Sequence, residues 1–274
     1  MSVFAGQGDP RRSVELLWRT ADPPGRRRGS PGPRPGLSLD LIVDTAIALA
    51  DSEGLAALSM RAVGERLGRS AMALYTYVPG KAELLDLMYD RALAELPAGY
   101  DTGRGWRTAL RAWAADTRDF HVRHPWSLQV SPARPVLGPN EHAAMEALVR
   151  LLETSGLPAP VLRRVVGTLL HFVRGAAQAI ADARAATAAT GTDEREWWLA
   201  RMAAIGEAAP DFAERFPALL RVSTAEEGAE PDAGEAGAAA PPDASFLEAE
   251  ARRTFDTGLG ILLDGIAAAV PRPS

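Results

Sequence analysis

Apolar residues recur every three to four positions along most of this chain, the period of amphipathic helices, and no run alternates as a half-buried strand would. Over 39–53, Leu39, Ile42, Val43, Ala46, Leu49 and Ala50 share one face. Ser38 stands where an N-cap is wanted, Asp40 lies in the first turn, where the helix dipole favours an anion, and Gly54 ends the run. A shorter helix follows Ser59, with Val63 and Leu67 as its buried pair. Gly68 then permits a sharp turn, because only glycine takes positive φ cheaply. Ser70 opens a third helix over 71–77, which Pro79-Gly80 breaks, and a fourth runs from Lys81 to about Leu96. Two short helices about a glycine turn match the helix-turn-helix motif, whose second helix enters the major groove. The spacing alone is a weak signal, since many helical proteins contain such a turn.

Past residue 97 the same period predicts longer helices over about 103–124, 141–155, 160–189, 193–208 and 245–270. Between the first two, the proline-rich stretch 125–139 with Trp126 reads as an irregular connector. On the first of these helices Trp106, Leu110, Trp113, Thr117 and Phe120 share a face, with His121 and His124 along its edge. Such a stripe is either core or one wall of a cavity, because binding sites combine apolar walls with a few polar groups. Trp126, Met145, His171 and the adjacent Trp197 and Trp198 are the other candidates to line a ligand site. His171 shares a narrow polar stripe with Arg164, Gln178 and Asp182, which solvent, a dimer seam or a ligand would each explain. Phe255, Leu259, Leu262, Leu263 and Ile266 form the apolar side of the last helix. The fold class expected is all-α.

Composition narrows the function. With 274 residues, 47% hydrophobic and 24% charged, the chain is long enough for a sizeable core. It has no cysteine, which excludes disulfides, thiolate metal sites and thiol nucleophiles. No apolar run is long enough to span a membrane, and the first residues lack a secretory pattern, so the cytoplasm is expected. Charge is uneven. Residues 1–36 hold seven arginines against Asp9, Glu15 and Asp22, whereas 37–96 hold five basic and nine acidic groups. We read 1–36 as a flexible basic arm centred on Arg26, Arg27 and Arg28, with a short helix near Ser13–Trp18 whose tryptophan needs a docking place. The stretch 222–245 is acidic and rich in Ala, Gly and Pro, and reads as a disordered loop. No nucleophile–base pair, phosphate-binding glycine loop or metal cluster stands out, so neither enzyme activity nor a cofactor is expected. A helical protein-interaction module is the alternative.

Residues 37–96 resemble the DNA-binding domain of the TetR/AcrR family of bacterial regulators. The resemblance is carried by Ala46, Leu49 and Gly54-Leu55, then Leu58-Ser59-Met60-Arg61 through Val63 to Leu67-Gly68, then Ala73-Leu74-Tyr75, Tyr77-Val78, Lys81 and Leu84-Leu85. It implies that residues 97–274 form a helical ligand-binding and dimerisation domain. It also implies a homodimer on a palindromic operator in double-stranded DNA, released by a small-molecule inducer that the Trp- and Leu-rich walls suggest is apolar or aromatic. By the same resemblance Ala71, Met72 and Ala73 face the groove, Met60 and Arg61 lie near the backbone, and Tyr75 and Tyr77 meet backbone or thymine methyls. Lys81, the chain's one lysine, matches the family's lysine that grips phosphate. Both tyrosines also suit ordinary packing. Ala71, Met72 and Ala73 offer no hydrogen-bond donor, whereas strong base reading uses Arg, Asn or Gln. Methyl contacts, Ser70 and Thr76, or DNA shape would then carry discrimination, and the basic arm much of the phosphate attraction.

Overall fold

The computed structural model describes residues 3–19, 36–223 and 244–271. Among these residues the structure is all-α: twelve helices and no strand. They are α1 Pro10–Arg19, α2 Leu39–Glu53, α3 Met60–Leu67, α4 Ala71–Tyr75, α5 Lys81–Leu93, α6 Trp106–Arg123, α7 Pro139–Glu153, α8 Ala159–Thr190, α9 Glu194–Ala208, α10 Phe212–Arg215, α11 Pro217–Ser223 and α12 Phe246–Ala269. A 3-10 turn, Pro125–Gln129, lies between α6 and α7. The chain divides into two compact units: one up to Gln178 with the segment from Leu263 onward, the other Ala179–Leu262. The sequence boundary near residue 96 falls inside the first unit.

Three serines start the first helices as their chemistry dictates. Ser38, Ser59 and Ser70 each accept a hydrogen bond from the backbone N–H three residues on, at Leu41, Ala62 and Ala73. Gly68 takes the left-handed conformation, φ 63°, and closes α3. α4 ends at Tyr75, two residues earlier than the sequence suggests. Pro79 disfavours helical backbone just before it, and the N–H groups of Tyr77 and Val78 both turn back onto the Leu74 carbonyl. Ile42, Leu49, Val63, Leu74, Val78 and Leu84 fill the core between α2, α3, α4 and α5.

The first 36 residues are not uniformly a flexible arm. Residues 3–19 pack onto the first unit: Ala5 and Leu17 are buried, and α1 lies against α5. The expected helix is present, and Trp18 docks by donating its indole N–H to the Leu137 carbonyl at 3.2 Å. The basic composition conceals the docking of this segment because its fully buried apolar residues are few, Ala5 and Leu17. Arg26, Arg27, Arg28 and Arg34 lie outside the described residues. So does most of the expected acidic loop, 224–243, while Val222 and Ser223 close α11 and Ser245 accepts the backbone N–H of Glu248 at the start of α12. α10 and α11 are absent from the sequence reading, which Pro210 and Pro217 cut into pieces shorter than three helical turns.

Within the second unit, Glu248 on α12 is buried and pairs with Arg184 of α8 at 2.8 Å and Arg252 at 3.0 Å. Burial alone would raise this carboxyl, but the two guanidinium hydrogen bonds outweigh it and hold the group below its usual range. Glu194 at the start of α9 accepts the backbone N–H of Leu247, fixing that helix to the base of α12.

Candidate nucleic-acid interface and ligand cavity

The helix-turn-helix presents one continuous outer face. Met72 and Tyr75 on α4 and Thr76 at its C-cap sit three and four apart and are all exposed, Met72 by 74%. Arg69, Ser70 and Tyr77 are exposed beside them. Ala71 and Ala73 are half-buried against the core, so they flank this face rather than head it. Two of the expected polar readers have local duties: the Ser70 hydroxyl accepts the Ala73 N–H at 3.4 Å, and the Thr76 hydroxyl donates to the Ala73 carbonyl at 2.7 Å. Arg61 is exposed on α3 and bonds Glu65 one turn on at 2.8 Å, an exposed pair that a phosphate could displace at little cost. Met60, in contrast, is buried in the core and is not placed to meet DNA. Lys81 is exposed at the first turn of α5.

The spacing of the two short helices rests on Gly64, a residue the sequence reading passed over. A Cβ at Gly64 would lie 2.8 Å from the Arg69 carbonyl oxygen and 3.3 Å from the Ala71 nitrogen. The Arg69 N–H also bonds the Gly64 carbonyl at 2.8 Å. Close approach of backbones, rather than positive φ, is what this glycine supplies.

α5 leads from the helix-turn-helix to a cavity of about 280 Å³ in the first unit. Six of the nine sequence candidates line it: Trp113, Thr117, Phe120 and His121 on α6, Met145 on α7 and His171 on α8. Tyr89 and Leu93 of α5, the segment 130–136, Glu141 and Arg174 also line it and were not foreseen. Arg174 lies one turn beyond His171 on α8, a spacing that could have flagged it. Its guanidinium donates to the carbonyls of Ser127, Leu128 and Val130, the last at 2.8 Å, which fixes the turn entering the 130–136 wall. The Thr117 hydroxyl is buried without a hydrogen-bond partner among the described residues, so the cavity presents an unsatisfied polar group. Burial, then the Arg174 cation, push His121 down to about 3, and its Nδ1 meets the Ser127 hydroxyl at 2.8 Å. The imidazole is therefore neutral at physiological pH. Burial likewise pushes the Tyr89 phenol up to about 12, keeping it a hydrogen-bonding hydroxyl.

Trp126 does not line the cavity. The 3-10 turn directs its ring into the core shared with α2 and α5, where it is 1% exposed and donates to Asp51 at 2.7 Å. His124 contacts the same Asp51 oxygen through Nδ1 at 2.7 Å and Glu95 through Nε2 at 3.1 Å. This cluster joins α2 to the end of α6. Trp197 and Trp198 lie on α9 in the second unit, T-stacked at 5.1 Å and both exposed, whereas every cavity-lining residue belongs to the first.

Comparison with known proteins gives this geometry a family. Residues 42–88 match the model of the bacterial regulatory proteins of the tetR family, and residues 98–270 match the tetracyclin repressor-like C-terminal domain. The chain is 44% identical over 200 residues to the HTH-type transcriptional repressor DrrR1 of Streptomyces coeruleorubidus, covering 72% of each. It is 27% identical over 191 residues to the class D tetracycline repressor protein of Escherichia coli, covering 68% of this chain and 77% of that one. Among solved structures, ActR of Streptomyces coelicolor in complex with actinorhodin superposes with a TM-score of 0.67 at 26% identity, over 88% of this chain and all of ActR. With a helix-turn-helix on one side of α5 and a cavity on the other, the chain belongs to the TetR family of DNA-binding transcriptional regulators.

Proposed function

We propose that the chain is a repressor that binds a palindromic operator as a homodimer and leaves it when a small apolar or aromatic molecule fills the cavity. One observation carries the reading: α5 begins with Lys81 beside the exposed face of α4, and its later residues Tyr89 and Leu93 line the cavity. A ligand that moves α5 alters how the recognition helices meet DNA, and its differential affinity for the two arrangements sets the size of the response. Met72, Tyr75, Thr76 and Tyr77 approach the bases and sugars, while Lys81, Arg61 and Arg69 meet phosphate. The arginines at 26–28 add to that attraction. Tyr89 and Thr117 offer polar anchors to a largely aromatic ligand held between Trp113, Phe120 and Met145, and ActR with actinorhodin is a related instance. By family resemblance, α8 and α12 supply the dimer contact, and the protein acts in the cytoplasm.

The test is selection from random duplex DNA with purified protein at moderate salt, followed by sequencing. A recovered palindrome is expected. No enrichment by a protein shown to be folded would overturn the reading.

A further inference from the structure

The wall 130–136 of the cavity is held at both ends by residues from the start of the chain. At its beginning, Val3 pairs in parallel with Val130: its N–H donates to the Gln129 carbonyl and its carbonyl accepts the Ser131 N–H, both at 2.8 Å. Just past its end, Trp18 donates to the Leu137 carbonyl, and its ring lies 5.8 Å from that of His142. Leu137 is the one non-glycine residue with positive φ among the described residues, at 61°. Such a conformation persists where surrounding contacts over-determine it. Glu141 holds the Leu137 N–H at 2.6 Å from one side, and Trp18 the carbonyl from the other.

Between these two anchors the same segment grips α5. The Gly6 N–H donates to Asp86 at 3.0 Å, and Asp86 is 2% exposed. A Cβ on Gly8 would sit 1.9 Å from the Glu83 carboxylate, so the segment runs flush along the helix. α1 then packs on α5 and buries Leu17. Phe4 lies 5.8 Å from the Arg134 guanidinium, which itself lines the cavity.

We propose that residues 3–19 are a positioning strap that fixes the 130–136 wall to α5, so that the cavity and the DNA face are coupled through this segment as well as along α5 itself. The proposal rests on the ligand-responsive reading above. A ligand pressing on the wall displaces Val130 or Leu137, the strap transmits that displacement to Asp86, and α5 moves. By linkage, DNA held at α5 must steady the wall to the same degree.

Hydrogen exchange on the full chain tests this without a ligand. Two variants loosen the strap at different places. Gly6→Ala meets open space at the added carbon, so its only cost is an alanine at φ 64°. Trp18→Phe keeps a ring but loses the N–H that reaches Leu137. Each should accelerate exchange of both the Ser131 and the Leu137 amides about fivefold, the factor expected for one strained residue or one lost hydrogen bond. The Leu137 amide bonds Glu141 rather than the strap, so its response reports the wall as a whole. Acceleration of Ser131 alone, or of neither amide, overturns the proposal. In a second arm, the duplex recovered by selection should slow both amides in the parent protein and lose that effect in the two variants. Equal slowing in parent and variants also overturns it. If selection recovers no duplex, the repressor reading fails, and the first arm still decides whether the strap holds the wall.

Discussion

Gly64→Ala separates helix propensity from helix spacing. In an isolated helix the substitution stabilises by about 1 kcal/mol, because alanine loses less backbone entropy. Here the new Cβ falls 2.8 Å from the Arg69 carbonyl oxygen, 3.3 Å from the Ala71 nitrogen and 3.4 Å from the Ser70 carbonyl carbon. All three are backbone atoms, so no side chain can rotate away. The turn must recede by several tenths of an ångström, while Leu74 and Val78, both fully buried, hold α4 to the core. Overpacking of this kind costs about 1–3 kcal/mol. The net loss of stability is therefore small, about 0–2 kcal/mol. On the function proposed above α4 is the helix that meets DNA, so duplex affinity should also fall, by about tenfold or ~1.4 kcal/mol. Thermal melting and fluorescence anisotropy on the selected duplex measure the two effects. A variant that melts higher than the parent and binds equally well would refute the claim that backbone contact at Gly64 sets the spacing.

Lys81→Ala should weaken binding to all duplexes alike and reduce the salt slope by about one unit; an unchanged slope would remove Lys81 from the phosphate contacts. Asp51→Ala strands the Trp126 indole N–H and the His124 ring nitrogen, and should cost about 2–4 kcal/mol in chemical denaturation; a loss under about 1 kcal/mol would count against a structural role for the cluster. For His121, the unfolded chain binds a proton below about 6.5 whereas the folded protein does so only near 3. This residue therefore removes stability as pH falls through that window, by up to about 1.4 kcal/mol per unit, and His121→Gln should flatten the decline between pH 6 and 5. Parallel curves for parent and variant would show that the ring titrates normally.

What sequence reveals here follows the range of the interaction. Ser38, Ser59 and Ser70 are legible as caps because a cap bonds within three residues. Trp113, Thr117, Phe120 and His121 are legible as one wall because helix geometry alone puts them on one side of α6. Trp126 is misread because its direction is set by Asp51, 75 residues away. Tyr89 escapes notice because only tertiary packing brings this single polar group of α5 to the cavity, whereas Arg174 was within reach of helix spacing, one turn from His171. The opening segment is the clearest failure. Its charge pattern says nothing of the few buried contacts that dock residues 3–19.

The strap also imposes an order on folding. Gly6 and Trp18 find their partners 80 and 119 residues further along the chain. Closing loops of that size carries a high entropic cost before any contact rewards it. Its partners, moreover, exist only once α5 has packed and the segment between the 3-10 turn and α7 has taken shape. Docking of the strap is then a late step that seals a finished cavity, and its release is a local opening that leaves α5 packed. Limited proteolysis of the folded protein should accordingly reach the Arg11, Arg12 and Arg19 bonds well before those inside α5.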